Sequence, residues 1–196
     1  MTIEADIGSR EEIERIRRVS DQLCTAHAAL SDRFSRRALL LDIVVLVLSA
    51  LVTALAFVDP KVLHHVMPAT VDPAIVVGVF GLVVFCLTLV QSKTDWRGRG
   101  EAHKRSFTMY AEVKREAGYL LASSSDIPSR EFQRLAARYD MASDVGSGVP
   151  ESEFLRLKQK HLTKVEISKL LDKKPGASIW LTKLKLLIRD NWPWSS

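Results

Sequence analysis

Asp42 is the only charged residue between Ala38 and Val58, and none occurs between Ala74 and Val90. Ser49 and Thr53 follow Asp42 at spacings that place all three close to one face of a helix. A carboxylate followed by two hydroxyls on one face can line an aqueous path. A ring of such carboxylates at the mouth of an oligomeric pore favours cations. The local alternative is that Asp42 is solvated or paired with Arg36, Arg37 or Lys93, while Ser49 and Thr53 bond back to their own helix. Ion-coupled transport normally needs ionisable groups nearer the bilayer midplane, and neither apolar stretch has one.

The other titratable side chains offer less. His64 and His65 could sense pH or bind a metal, but adjacent residues point to different sides and no third ligand accompanies them, which favours a plain loop. His27 and His103 sit at matching positions of two apolar seams, where an interhelical hydrogen bond is expected. Cys24 and Cys86 are far apart, with no CxxC or Cys/His cluster, so neither a disulfide framework nor a zinc site is implied. Both read as small packing residues, Cys24 in a reducing compartment. There is no GxGxxG or GxxxxGK[ST] for a dinucleotide or P-loop site. No acid, base or nucleophile pair stands out, so no enzyme, catalytic residue, cofactor or metal is expected.

The elements that position Asp42 are the apolar stretches themselves. A helix rises about 1.5 Å per residue, so about 20 apolar residues cover a hydrocarbon core about 30 Å thick. In lipid every backbone N–H and C=O needs an internal partner, which a helix supplies. The expected architecture is an all-α membrane protein. A transmembrane hairpin over 38–92, with spans at about 38–58 and 74–92, is extended by long antiparallel cytosolic helices and a C-terminal helical tail. A signal peptide is not expected, because a long charged helix precedes the first stretch and no small-residue cleavage pattern follows it.

The chain has 28 Lys and Arg against 23 Asp and Glu, a formal net charge of +5. The placement of these charges matters more than their sum. Arg33, Arg36 and Arg37 precede the first span; Lys93, Arg97, Arg99, Lys104 and Arg105 follow the second. Lys61 is the only Lys or Arg in the connecting loop from Asp59 to Asp72. The positive-inside rule puts both termini in the cytoplasm and the loop outside. The flanking cations suit anionic lipid head groups, and the rest alternate with Asp and Glu as on solvated helix faces. No basic stripe interleaves with aromatics, so no nucleic-acid partner is expected.

Over 1–37, Ser9 and Glu12 resemble a capping box, and Ile13, Ile16, Ser20, Leu23, His27, Leu30 and Phe34 form a heptad-like seam. Over 93–122, Trp96, Gly100, His103, Phe107, Tyr110, Lys114, Ala117 and Leu121 keep the same alternation, so this helix is expected to pack antiparallel on the first. Gly98 and Gly100 suit a bend or a close helix approach. Ala50, Ala54, Ala74 and Gly78 belong to small-xxx-small pairs that bring the hairpin or adjacent subunits together.

Within 123–196, Ser123 to Ser129 should break the chain. A helix fits 130–142 with Phe132, Leu135, Ala136 and Tyr139 on one face. Another fits 151–171, with Phe154, Leu157 or Lys158, His161 or Leu162, Val165 and Leu170 inward. From Ala177 to Trp194 a basic amphipathic helix carries Ile179, Trp180, Leu184, Leu187 and Ile188 beside Lys183, Lys185 and Arg189. Such a helix can lie on an anionic membrane or cap protein, and packing against protein is preferred here.

With that arrangement, the run Lys93-Thr94-Asp95-Trp96, then Ala102-His103-Lys104-Arg105, Tyr110 and Tyr119-Leu120-Leu121, resembles the SLATT family of two-span bacterial effectors associated with nucleotide-sensing immunity. The resemblance covers about residues 10 to 175 and has no catalytic set. It implies a pore-forming or membrane-disrupting effector in antiphage defence. Such an effector would sit in the inner membrane as a homo-oligomer, with a cytosolic sensor or nucleotide-signalling partner. The alternative is a non-conducting membrane anchor that recruits a cytosolic sensor or enzyme.

Overall fold

The computed structural model describes residues 2–58, 72–123 and 127–191. The two outer-loop histidines, most of the loop assigned to the outside and the tryptophans at 192 and 194 lie outside the described residues. Among the described residues there are six helices: α1 (Thr2–Phe57), α2 (Pro73–Thr94), α3 (Trp96–Ala122), α4 (Ser129–Val145), α5 (Glu151–Lys173) and α6 (Ile179–Asn191). No strand occurs among the described residues. Two stretches, one in α1 and one in α2, are long and apolar enough to cross a membrane.

Local chemistry explains most of the boundaries. α1 is helical from Thr2, so Ser9 lies inside the helix and not at its cap, and Glu12 accepts from Arg15 Nε at 2.7 Å. Asp72 caps α2 by accepting the Ala74 N–H at 2.9 Å, and Pro73 takes the first helical position, where its missing N–H costs nothing. α2 stops at Asp95, the only non-glycine with positive φ among the described residues (φ 40°, ψ 50°). Aspartate tolerates this left-handed conformation because its short carboxylate bonds locally. Here Oδ1 accepts the Gly98 N–H at 3.0 Å, at the start of α3. A Cβ on Gly98 would lie 2.2 Å from Asp95 Oδ2, so any other residue there displaces the capping carboxylate from this position.

Contacts divide the chain into two compact units, Met1–Leu30 with Ala102–Ser196, and Ser31–Glu101. In the first, α1 and α3 run antiparallel, as their cross-contacts record. Arg10 Nη2 donates to Leu121 O (3.1 Å), Lys114 Nζ to Asp21 Oδ1 (2.7 Å) and the Cys24 thiol to Phe107 O (3.7 Å). On α1 the buried positions are Ile13, Ile16, Ser20, Cys24, Ala26, His27 and Leu30, with Leu23 half-buried. On α3 they are His103, Ser106, Tyr110, Val113 and Ala117. Phe107 is 37 % exposed and Lys114 is half-exposed, so at these two turns the inward register falls one residue earlier than the expected seam. The alternation of three and four is kept, and the small Ser106 takes the place expected for an aromatic.

α4 closes this core with Leu135 and Ala142, and Glu116 on α3 receives both Arg134 (2.9 Å) and Arg138 (3.0 Å). Leu157, His161 and Ile167 are the buried residues of α5, which decides the paired alternatives in favour of Leu157 and His161. Phe154, expected inward, is exposed, as is Leu162, the alternative to His161. Among the described side chains of α6, Thr182 is buried and Leu186 half-buried, while the apolar residues Ile179, Trp180, Leu184, Leu187 and Ile188 are exposed. Within the chain, then, this helix does not cap the bundle with its apolar side.

The second unit is built differently. Of the most apolar window in each long helix, 6 % is buried in α1 and none in α2. Leu46 is 69 % exposed and Leu82 62 %. Three threonine hydroxyls along these stretches bond back one turn, Thr53 to Ser49 O, Thr88 to Val84 O and Thr94 to Val90 O, which satisfies them without a polar neighbour. Ser31 Oγ reaches Gly100 O at 2.9 Å, where a Cβ on Gly100 would sit 3.1 Å from Ser35 Oγ. Gly98 thus serves a helix break and Gly100 a close approach.

Candidate functional site

Asp42 lies one turn past Ala38 on α1, its side chain 29 % exposed. Both of its oxygens are engaged. Gln91 Nε2 from α2 donates to Oδ1 at 2.5 Å, and Arg97 Nη2 from the start of α3 donates to Oδ2 at 2.8 Å. The pairing expected with Arg36, Arg37 or Lys93 is not the one found. Arg36 and Arg37 precede Asp42 by six and five residues, spacings that do not share a helical face. Lys93 is two residues from Gln91 and so lies on nearly the opposite side of α2. Arg97 becomes available because the left-handed residue Asp95 interrupts the helix and removes Arg97 from the periodicity of α2. That break is the signal in the sequence that a helix-by-helix reading misses.

Around this pair is a groove of about 690 Å³ lined by Asp42, Val45, Ser49, Gln91, Trp96 and Arg97, among others. Asp42 and Ser49 therefore share one groove, while Thr53, one turn further on, is outside its lining and exposed, with its hydroxyl on Ser49 O at 2.8 Å. A carboxylate satisfied by an amide and a guanidinium is a neutral, orientable polar cluster, not a bare anion. Ala50, Ala54, Ala74 and Gly78 are all exposed, and nothing lies within 4 Å of a Cβ built on Gly78. Within a single chain they make no close helix contact.

The first unit holds a second polar cluster, in its core. His27 Nδ1 and His103 Nδ1 are 3.1 Å apart, with His27 1 % and His103 7 % exposed, and the His27 ring stacks on Tyr110 (centroids 5.5 Å, 11°). Tyr110 reaches Ser143 Oγ on α4 at 3.4 Å and meets Tyr139 edge-on. Ser106 accepts the Ser147 N–H at 2.8 Å, tying the α4–α5 connection to α3. Burial pushes His27 down to about 4, with the neighbouring His103 adding to the effect, and burial also lowers His103. Cys24 is pushed up to about 11 by burial, which keeps it a thiol and makes it unreactive. Ser20 Oγ is buried with no hydrogen-bond partner. Thr25 Oγ1 and His161 Nδ1, 2.9 Å apart, link α1 to α5.

No group of three or more His, Cys, Asp or Glu able to hold a metal occurs among the described residues. Of the expected seam, Ile16 and Leu30 are buried, Leu23, Phe34 and Trp96 half-buried, and Tyr110 buried at the centre of the histidine cluster. No family, curated protein or solved structure matches this chain.

Proposed function

We propose that this chain is a two-span membrane effector whose copies assemble and form a pore or otherwise breach the bilayer, in bacterial antiphage defence triggered by a partner sensor or a nucleotide signal. The spans form a hairpin in the inner membrane with both termini cytoplasmic, so the first compact unit is the cytosolic part. The observation that supports this best is the uncovered apolar surface: 6 % and 0 % of the two most apolar windows are buried. The core helix of a soluble protein buries such a window, and soluble monomers leave apolar patches of only about 300–600 Å² in water. The flanking Arg and Lys give the orientation. The immune role rests on the SLATT resemblance.

One hairpin cannot enclose an aqueous path, so conduction requires several copies. The small residues Ala50, Ala54, Ala74 and Gly78 face outward, as contacts between copies would need. The Asp42–Arg97 pair changes what such a pore would select. Its entrance carries neutral pairs in place of bare carboxylates, and Asp42→Asn leaves Arg97 uncompensated. The variant therefore shifts the reversal potential toward that of the anion in planar-bilayer recordings. Induction of the wild type with its activator depolarises cells in a potential-sensitive dye assay. A full membrane potential with the chain abundant in the membrane and the activator present excludes the pore.

The same pair also favours a second reading, a non-conducting anchor that recruits a cytosolic sensor or enzyme, since Asp42 is already saturated within one chain. Exchange of both spans for an unrelated hairpin preserves activity on that reading and abolishes it for a pore.

A further inference from the structure

We propose that α6 is a membrane-surface helix that docks its outward face on anionic lipid. This rests on the membrane placement proposed above. Trp180, Leu184, Leu187 and Ile188 recur at helical spacing, Leu181 lies beside Leu184 and Ile188 on the same side, and all five are exposed, Trp180 at 69 %. The side of α6 turned into its own unit is marked instead by Thr182, whose hydroxyl bonds to Ser178 O at 2.9 Å, and by Leu186. The helix therefore packs on the protein through its less apolar side and presents the apolar one outward. A helix whose only role is to cap a bundle has the reverse arrangement.

Charge decides among the possible occupants of this face. Lys183 and Lys185 are exposed on its two borders, and Lys173 and Lys174 are exposed at the end of α5 just before it. The acidic residue of α6, Asp190, is taken up by its neighbour Arg189 at 2.7 Å. An apolar stripe bearing tryptophan and bordered by lysines matches the boundary between acyl chains and anionic head groups. A chain with two long uncovered apolar helices already has such a surface at hand. A neutral apolar groove on a protein would leave the border lysines without counter-charge.

The test uses the full chain carrying Cys86→Ala and Leu184→Cys, with a nitroxide on the new cysteine; Cys24 is buried and its thiol is unreactive, so it stays unlabelled. The chain is reconstituted into vesicles of phosphatidylcholine alone or of phosphatidylcholine with phosphatidylglycerol. Collision rates of the label with oxygen, which partitions into lipid, are compared with those of a water-soluble nickel chelate. In the anionic vesicles oxygen collisions dominate. Lys183→Gln and Lys185→Gln each lower the lipid-bound fraction relative to the free one about fivefold, an effect that high salt reproduces. A label that stays accessible to nickel in anionic vesicles, or is shielded from both reagents by a second copy or another protein, overturns the proposal. Extraction at alkaline pH separates the two levels. A chain that resists extraction while its label stays in water refutes the α6 docking alone, and a chain that is extracted refutes the membrane-spanning reading and the docking with it.

Discussion

Leu135 and Leu46 are the same side chain on two helices of one chain, yet Leu135 is fully buried and Leu46 is 69 % exposed. The contrast runs through both compact units. In the first, polar groups go inside: His27, His103, Ser106 and Ser20 share a core with Ile13, Ile16 and Val113. In the second, apolar groups go outside, and the main polar cluster sits where the apolar stretches end. A core tolerates a buried histidine pair because hydrogen bonds and ring stacking replace the water that is lost. An apolar helix without packed neighbours has no such partners to spare, and Thr53, Thr88 and Thr94 turn their hydroxyls back on their own carbonyls.

The sharpest way to break this contrast is to make one change in both units. Leu135→Ala opens a cavity in the first unit and costs about 2–5 kcal/mol, read as a lowered urea midpoint or lost protection from proteolysis. Leu46→Ala removes a side chain that touches little protein and leaves that midpoint in place. Leu46→Arg reverses the order: in lipid it costs roughly 2.5–3.5 kcal/mol of insertion, measured by glycosylation-site mapping in microsomes, whereas on a water-facing helix it is close to neutral. Equal effects of Leu→Ala at the two sites would remove the distinction between the units.

Acid tests the histidine pair. Both rings are held below their ordinary value, His27 at about 4, so the unfolded chain binds more protons between that value and about 6.5. The stability they contribute is complete above about 6.5 and falls as the pH drops toward 4, by on the order of 1–2 kcal/mol. His27 stacks on Tyr110 of α3, which in turn meets Tyr139 and Ser143 on α4. His27→Gln flattens the acid limb of the melting-temperature profile, and an unchanged limb would assign it elsewhere. Ser20→Ala gives the smallest effect. Removing a buried hydroxyl that has no partner raises stability slightly, by less than about 1 kcal/mol, where a hidden hydrogen bond would make the same change destabilising.

Strong periodicity was legible in the sequence, and single-residue geometry was not. The apolar stretches, the α1 seam from Ile13 to Leu30 and the meeting of His27 with His103 follow from spacing alone. On α3 the seam could be read at His103, Tyr110 and Ala117. It slipped at Phe107 and Lys114 because alternating spacings of three and four leave two neighbouring positions nearly equivalent, and bulk at the packing surface chooses between them. The Asp42 cluster was half legible. The carboxylate stands out by its surroundings, but its guanidinium partner depends on one residue, Asp95, adopting a left-handed backbone that no periodic pattern encodes. The outward turn of α6 was likewise hidden, because amphipathicity marks two faces without saying which one meets protein.

The contact between His27 and His103 joins the same atom, Nδ1, of two identical side chains. One ring must hold its proton on Nδ1 and the other on Nε2, so the pair is obliged to break its own chemical symmetry. Exchanging the two assignments shifts the central proton between nitrogens 3.1 Å apart and also relocates the one outer proton from one Nε2 to the other, through the protein or solvent. Nitrogen-15 spectra of the folded chain should therefore contain one imidazole of each tautomer, locked in place, a fingerprint that disappears when the helices part.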